Sequence, residues 1–346
     1  MVLDKYIYNK NFLVTGGAGF IGSNIVGTLL NYNGNVIVFD NFFTGDRDGL
    51  EFVVQDYTHN YQILIDKKQL VIVRGSVELE NLDSYVEWAD YVIHLAARNI
   101  IASTKDPEAD CHSNILGTIR VLEACKKYKK RVVYSSSASV YGNPLIIPTP
   151  EESLVHTFSP YAVSKLAGEN YCKAYYETWG LETSVVRYSN IYGFGQIPTN
   201  PYVGVISRIF EALYGGKEFF IHGDGLSTRD YTYIVDAVEG TLYTLFSPKS
   251  VGESFNLGTG VGISVKELVK ESIEAALEIW GERAHILKIQ YVDRRDIDNV
   301  RHRVMNIEKI RTRLGWVPTI TLSQGLRKTA KYIANYNKFI KNIEKK

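Results

Sequence analysis

The stretch TGGAGFIGSN, Thr15 to Asn24, decides how the rest of the chain is read. It follows a short apolar run, FLVT from Phe12 to Thr15, and opens a longer amphipathic one. Gly16, Gly19 and Gly22 therefore fall at a strand-to-helix junction in a G-x-x-G-x-x-G spacing, with Phe20 and Ile21 between the last two. Glycine is needed where a backbone turns tightly, approaches a pyrophosphate and lets a helix pack on a sheet; the amino terminus of that helix attracts the phosphates. The next apolar run, VIVF, ends in Asp40, 18 residues beyond Gly22, followed by Asn41. A carboxylate there accepts hydrogen bonds from an adenosine ribose and repels a 2′-phosphate, which favours NAD over NADP.

Outward from this loop, short β-branched runs alternate with amphipathic ones, the signature of βαβ units and a parallel sheet. Strands are predicted at Phe12 to Thr15, Val36 to Phe39, Leu70 to Val73, Tyr91 to Leu95, Arg131 to Ser135 and Thr183 to Tyr188. Helices are predicted from about Pro107 to Tyr128 and from Pro160 to Trp179, where Ser159 caps and Pro160 takes the first turn. The fold class is α/β, a doubly wound parallel sheet of the Rossmann type with a smaller α+β substrate lobe. Residues 1–187 form the dinucleotide-binding part, and about 232–262 return to it. Residues 188–231 and 263–346 form the lobe. The lysine-rich tail from Gly325 has apolar residues at helical spacing and reads as a helix with a solvated face.

Composition narrows the function classes. Lys plus Arg number 39 against 38 Asp plus Glu, a net of +1, so charge suggests neither nucleic acid nor an acidic membrane as partner. Cys111, Cys125 and Cys172 form no C-x-x-C pair and read as free thiols in a reducing compartment, with the cytoplasm the expected address. No metal site is expected. The amino terminus is too polar for a signal peptide, and no apolar run approaches the roughly 18 residues of a membrane span.

The chemistry is carried by SPYAVSK, Ser159 to Lys165. Tyr161 and Lys165 share one helix face. The same Y-x-x-x-K spacing at Tyr6 to Lys10 stands before the first strand with no chemistry around it, so context decides. Here the context is a dinucleotide fold and YSSSASVYG, which places Ser137 at the carboxyl end of the fifth strand. A hydroxyl there, with Tyr and Lys on the next helix, has the parts for proton-coupled hydride transfer. Free tyrosine, with a pKa of about 10, needs roughly 4 kcal/mol of phenolate stabilisation to act as a base near neutrality. Lys165 is expected to supply positive charge.

At these residues the chain resembles the extended short-chain dehydrogenase/reductase family, and within it the nucleotide-sugar epimerases and dehydratases. TGGAGFIG, Asp40, HLAA (His94 to Ala97), NILGT from Asn114, SSSASVYG, YAVSK, RYSNIYG from Arg187, STRDY from Ser227 and RRDID from Arg294 carry the likeness, from about Asn11 to Gly325. The resemblance implies NAD as cofactor, touching Leu95, Ala96, Ala97 and Asn114 as well as the glycine loop, Asp40, Asn41, Tyr161 and Lys165. It implies a nucleotide-diphosphate site at Asn190, Arg229, Tyr231 and Arg295, with Asp298 toward the ribose. It implies oxidation of a sugar hydroxyl, usually at C4, with Tyr161 as base and Ser137 assisting, and a homodimer paired through the helices near Pro107 and Pro160.

Departures from the family pattern sharpen the reading. Dehydratases carry an Asp-Glu pair before Val-Tyr-Gly, and decarboxylases a Glu; this chain has Ala138 and Ser139, which favours epimerisation. Ser76 stands after Gly75 where an Asp is usual, Arg98 where a Lys or Gln is common, and His222 where an aromatic ring stacks on the base. The stretch NVRHRVMN is one residue longer than in 4-epimerases, so the residue that gates the sugar pocket falls among Arg301, His302 and Arg303. A cation there would suit a carboxylated sugar such as UDP-glucuronate.

Overall fold

The computed structural model describes residues 1–196, 204–294 and 300–343. One sheet holds seven parallel strands: β1 (Asn11–Thr15), β2 (Asn35–Asp40), β3 (Leu70–Arg74), β4 (Tyr91–His94), β5 (Arg131–Ser137), β6 (Thr183–Tyr188) and β7 (Ser254–Leu257). Their spatial order is 7-6-5-4-1-2-3. Register is set by apolar residues, with Val14 beside Val38 on one side and Ile93 on the other. Both faces of the sheet are covered, so successive residues of one strand enter different cores. Phe12 and Val14 join Val36, Val38, Ile93 and Val186 on one face. Leu13 joins Ile37, Val92, Val132 and Val185 on the other.

Helices α1 (Phe20–Asn31) and α4 (Ile234–Phe246) cover the first face; α2 (Gly117–Tyr128) and α3 (Pro160–Trp179) cover the second. The start of α3 is as predicted: the Ser159 hydroxyl accepts from Ala162 N at 3.2 Å, and Gly180, at φ +66°, ends the helix in the left-handed region. The helix expected from Pro107 to Tyr128 is interrupted. Pro107–Asp110 is followed by a π-helical turn, Cys111–Leu116, before α2 begins. The buried side chains of Asp110 and Asn114 project from this segment and bond to each other.

The strand order reverses between β1 and β4, and the remaining elements gather at the carboxyl edge of the sheet. Asn190–Tyr192 pairs with Tyr231–Tyr233; Thr228–Arg229 lies between Ile263–Ser264 and His302–Arg303. Helix α5 (Val265–Trp280) starts with a reciprocal capping box of Ser264 and Glu267. The tail helix α6 (Leu322–Ile343) buries Leu326, Ala330 and Ile333, and its Ala330 carbonyl accepts from Trp280 Nε1 at 3.0 Å. Among the described residues no helix is long and apolar enough to cross a membrane. Cys111 is exposed, Cys125 and Cys172 are buried, and all three are free thiols.

A buried ion pair ties β6 to α3. The Arg187 Nε donates to both Glu169 carboxylate oxygens at 3.0 and 3.1 Å, and Nη2 to one of them at 2.7 Å. Its Nη1 reaches the Tyr141 hydroxyl at 2.7 Å and the Glu151 carbonyl at 2.9 Å, while Ser136 of β5 donates to Glu169. Replacing Glu169 by Gln strands the guanidinium without its counter-charge, and urea denaturation is expected to read a loss of about 3–5 kcal/mol. An unchanged midpoint would mean that Tyr141 and the Glu151 carbonyl suffice.

Candidate active site

A cleft of about 430 Å³ runs along the carboxyl ends of β1 to β6, within the size range of small-molecule sites. Its floor at β1 is the glycine turn. Gly16 has φ +69°, and a Cβ there would lie 2.6 Å from the Ala96 nitrogen; a Cβ on Gly22 would lie 2.2 Å from the Gly16 carbonyl oxygen. Neither position admits a side chain. The first turn of α1 holds no acidic residue, so its amide groups and helix dipole face the cleft without an internal anion.

At the end of β2 the buried Asp40 carboxylate accepts from Ala18 N at 2.9 Å and Phe42 N at 2.8 Å. Burial raises its pKa, opposed by these two N–H groups. Asn41 donates to the Ser76 hydroxyl at 3.1 Å, so Ser76 lines the cleft through a partner of its own. The Arg98 guanidinium lies 4.5 Å over the Phe43 ring, joining the loop after β4 to the loop after β2. That long-range contact gives Arg98 a place that its position after HLAA does not reveal.

The expected reactive groups converge above β5. Ser137 ends the strand and caps the short turn Ala138–Tyr141, accepting from Ser139 N at 3.2 Å and donating to the Ser139 hydroxyl at 3.1 Å. Lys165 is 2% exposed; its ammonium donates to the Ser135 carbonyl at 2.7 Å and lies 5.9 Å from the centre of the Tyr161 ring. Burial pushes Lys165 down to about 8, with Asp110 and then Glu169 pulling it back up. Burial pushes Tyr161 up to about 12; hydrogen bonding by Ser137 lowers it, Asp110 raises it further, and Arg303 lowers it. Arg303 thus adds a cation that favours the phenolate, and the expected one, Lys165, donates to the β5 backbone while its ammonium stays within reach of the ring.

The structure brings Gly16, Gly19, Phe20, Ile21, Gly22, Asp40, Asn41, Leu95, Ala96, Ala97, Ser137, Tyr161, Lys165 and Asn190 onto the cleft lining. Asn114 does not line it. Its buried amide accepts from Arg98 N at 2.7 Å and donates to the Arg98 carbonyl, Asp110 and Ser164, so it braces the wall from behind. Arg229 and Tyr231 stand on neighbouring strands beyond the lining: Arg229 donates to the Thr228 carbonyl at 2.9 Å, and the Tyr231 side chain is buried. Arg295 and Asp298 lie outside the described residues. Of the three gate candidates, Arg301 pairs with exposed Asp224 and His302 bonds Thr228, whereas Arg303 is buried. Among the described residues no three His, Cys, Asp or Glu side chains gather as a metal site.

Glycine turn, strand-end carboxylate and Ser-Tyr-Lys group share one cleft, the arrangement expected of a dinucleotide-dependent enzyme, and comparison with known proteins gives the family. The GDP-mannose 4,6 dehydratase family pattern matches residues 13–329. The chain is 34% identical to a UDP-glucose 4-epimerase of Mycolicibacterium smegmatis, over 93% of this chain and 98% of that one. It is similar to the solved UDP-glucose 4-epimerase of Thermotoga maritima with UDP-glucose (TM-score 0.81, 32% identity, 94% of this chain and 99% of that one). It is likewise similar to a Bacillus cereus UDP-glucuronic acid 4-epimerase with UDP-glucuronic acid and NAD (TM-score 0.81, 30% identity, the same coverage). The chain belongs to the extended short-chain dehydrogenase/reductase family of NAD-dependent nucleotide-sugar epimerases and dehydratases. Relatives of similar identity include dTDP-glucose 4,6-dehydratases and a decarboxylase, so this resemblance fixes the family and leaves the reaction to the site.

The glycine turn carries a direct test. Gly22→Ala drives a methyl group into the Gly16 carbonyl, and calorimetric titration with NAD is expected to show at least a tenfold weaker affinity. Unchanged affinity would mean that the turn can open without loss of the cradle.

Proposed function

We propose that the chain epimerises a nucleotide sugar, at C4 of a UDP-hexose or UDP-N-acetylhexosamine, with NAD as cofactor. The observation that carries this reading is the distribution of carboxylates. Among the described residues lining the cleft only Asp40 and Glu78 are acidic, and both lie on its β2–β3 side; beside Ser137 stand Ala138 and Ser139. Elimination of water across C5 and C6 needs an acid and a base near the sugar, whereas epimerisation needs one base that takes a proton and gives it back.

The glycine turn and the amino terminus of α1 hold the pyrophosphate, Asp40 the adenosine ribose, and Lys165 the nicotinamide ribose. When bound, NAD would supply the acceptor and later the donor of the sugar hydride, and the positive charge of its oxidised form would favour the phenolate. Tyr161 removes the proton from the sugar hydroxyl and returns it to the keto oxygen after the sugar has turned over. Ser137 hydrogen-bonds that oxygen throughout. Bringing a phenol from about 12 to neutrality asks for about 7 kcal/mol of phenolate stabilisation. The proposal includes a homodimer: Val163, Tyr171 and Tyr176 are exposed on α3, the helix expected at the interface.

Incubation with NAD and a panel of UDP-glucose, UDP-N-acetylglucosamine and UDP-glucuronate, followed by chromatography and mass spectrometry, is expected to give a new peak of unchanged mass. Loss of water or carbon dioxide would overturn the reading. Tyr161→Phe is expected to lower turnover about 10²- to 10⁴-fold with NAD still bound.

A second reading, a UDP-glucuronate 4-epimerase, is favoured by Arg303. Its strand leads into Met305, which packs on Ala138, Val140 and Tyr141 directly after Ser137, and side chains two apart in a strand share a face. On this reading Arg303→Ala lowers kcat/KM for UDP-glucuronate at least tenfold relative to UDP-glucose. An unchanged ratio would remove it.

A further inference from the structure

Behind Lys165 lies a carboxylate to which the proposed reaction assigns no step. Asp110 ends the short helix Pro107–Asp110 and is 2% exposed. Its Oδ1 accepts from the Ser103 hydroxyl at 2.5 Å, the Asn114 amide at 2.5 Å and the Ser164 hydroxyl at 3.2 Å. Every one of these partners is neutral.

Two of them lead to the site. Ser164 sits on α3 immediately before Lys165, and its hydroxyl also bonds the Tyr161 carbonyl at 3.0 Å. Asn114 brackets both backbone polar groups of Arg98, in the loop that lines the cleft after β4. One buried acid therefore joins the helix that carries Tyr161 and Lys165 to the wall that faces the cofactor.

The charges around Lys165 leave Asp110 a distinct role. On its own helix Glu169 is engaged by Arg187, and Cys172 is a thiol that burial keeps neutral. From β5 it meets the neutral ring of Tyr134, and from β4 the imidazole of His94, which burial pushes down to about 3 and so keeps uncharged. From the segment Ile100–Lys105 it is Ser103 that turns inward, while Lys105 is exposed, as are Cys111 and His112 of the π turn. The charges of Asp110 and Arg303 act on the Tyr161 phenol in opposite directions.

We propose that Asp110 is a positioning residue that supplies the counter-charge holding Lys165 as an ammonium, and that couples the catalytic helix to the Arg98 loop through Ser164 and Asn114. This rests on Tyr161 and Lys165 being the reactive pair. The sign follows from the charge. Asp110 raises both groups, so removing it lets both fall: the phenolate forms at lower pH, and the ammonium is lost at lower pH.

The test measures, for the full-length wild type and Asp110→Asn, kcat/KM against pH on the converted nucleotide sugar and the NAD dissociation constant against pH by calorimetry. Both limbs of the activity profile are expected to move toward acid by about one pH unit, with the alkaline weakening of NAD binding moving in step. Ser164→Ala keeps the charge and is expected to lower kcat with the limbs in place. Asp110→Glu is expected to restore the wild-type limbs. Asp110→Ser, which leaves room for a water molecule, carries the same expectation as the Asn variant if that variant does not fold. Limbs and NAD profile that stay in place overturn the proposal, whether or not activity falls. A wild type that converts no nucleotide sugar sinks the epimerase reading, and the NAD profile then still decides the role of Asp110.

Discussion

Arg187 and Glu169 carry opposite charges where water does not reach, and the site is assembled around them. The pair joins the sixth strand to the helix bearing Tyr161 and Lys165, takes a hydroxyl from Ser136 next to Ser137, and holds the ring of the Tyr141 turn. A buried ion pair is a costly element, because both ions lose their hydration and geometry must recover it. What this one secures is a fixed distance between a strand end and a helix face, the dimension on which the proposed proton transfer depends. The hydrophobic faces of the sheet bring these elements together; the polar network sets how they meet.

The second constraint is electrostatic. Tyr161 and Lys165 are both held near their neutral forms by burial, the phenol pushed up and the amine pushed down. A protein of almost balanced net charge has no broad field with which to correct this. Correction comes from single groups: Ser137 and Arg303 on the phenol, Asp110 and Glu169 on the ammonium. Each lies on a different element, so the titration of the pair depends on the whole packing arrangement.

Much of this was legible in the sequence. Apolar runs such as VIVF and TSVVRY placed the six strands within two residues of their ends, since a strand buried on both faces reads as continuous hydrophobicity. Ser159 and Pro160 marked the start of α3 through capping chemistry that depends on neighbours in sequence alone. The glycine spacing marked the turn for the same reason. Contacts between distant segments stayed hidden. Nothing in DPEADCHSN signals that Asp110 and Asn114 turn inward at a π turn. The placement of Arg303 depends on pairing with Thr228–Arg229, some seventy residues away, and one inserted residue is enough to blur it.

The position of β7 has a consequence for how the chain is made. Among the described residues the strand that completes the sheet, Ser254–Leu257, pairs only with β6, and the intervening residues supply helix α4 and one or more strands to each of the small sheets. As the chain emerges from a ribosome, β6 stands as an open edge until that excursion has been synthesised and the chain has returned. The unfinished Rossmann half therefore offers unpaired backbone groups to other nascent copies during that interval. The demand for a chaperone would fall on this window of synthesis, and a chain terminated after Tyr188 would expose the same edge permanently.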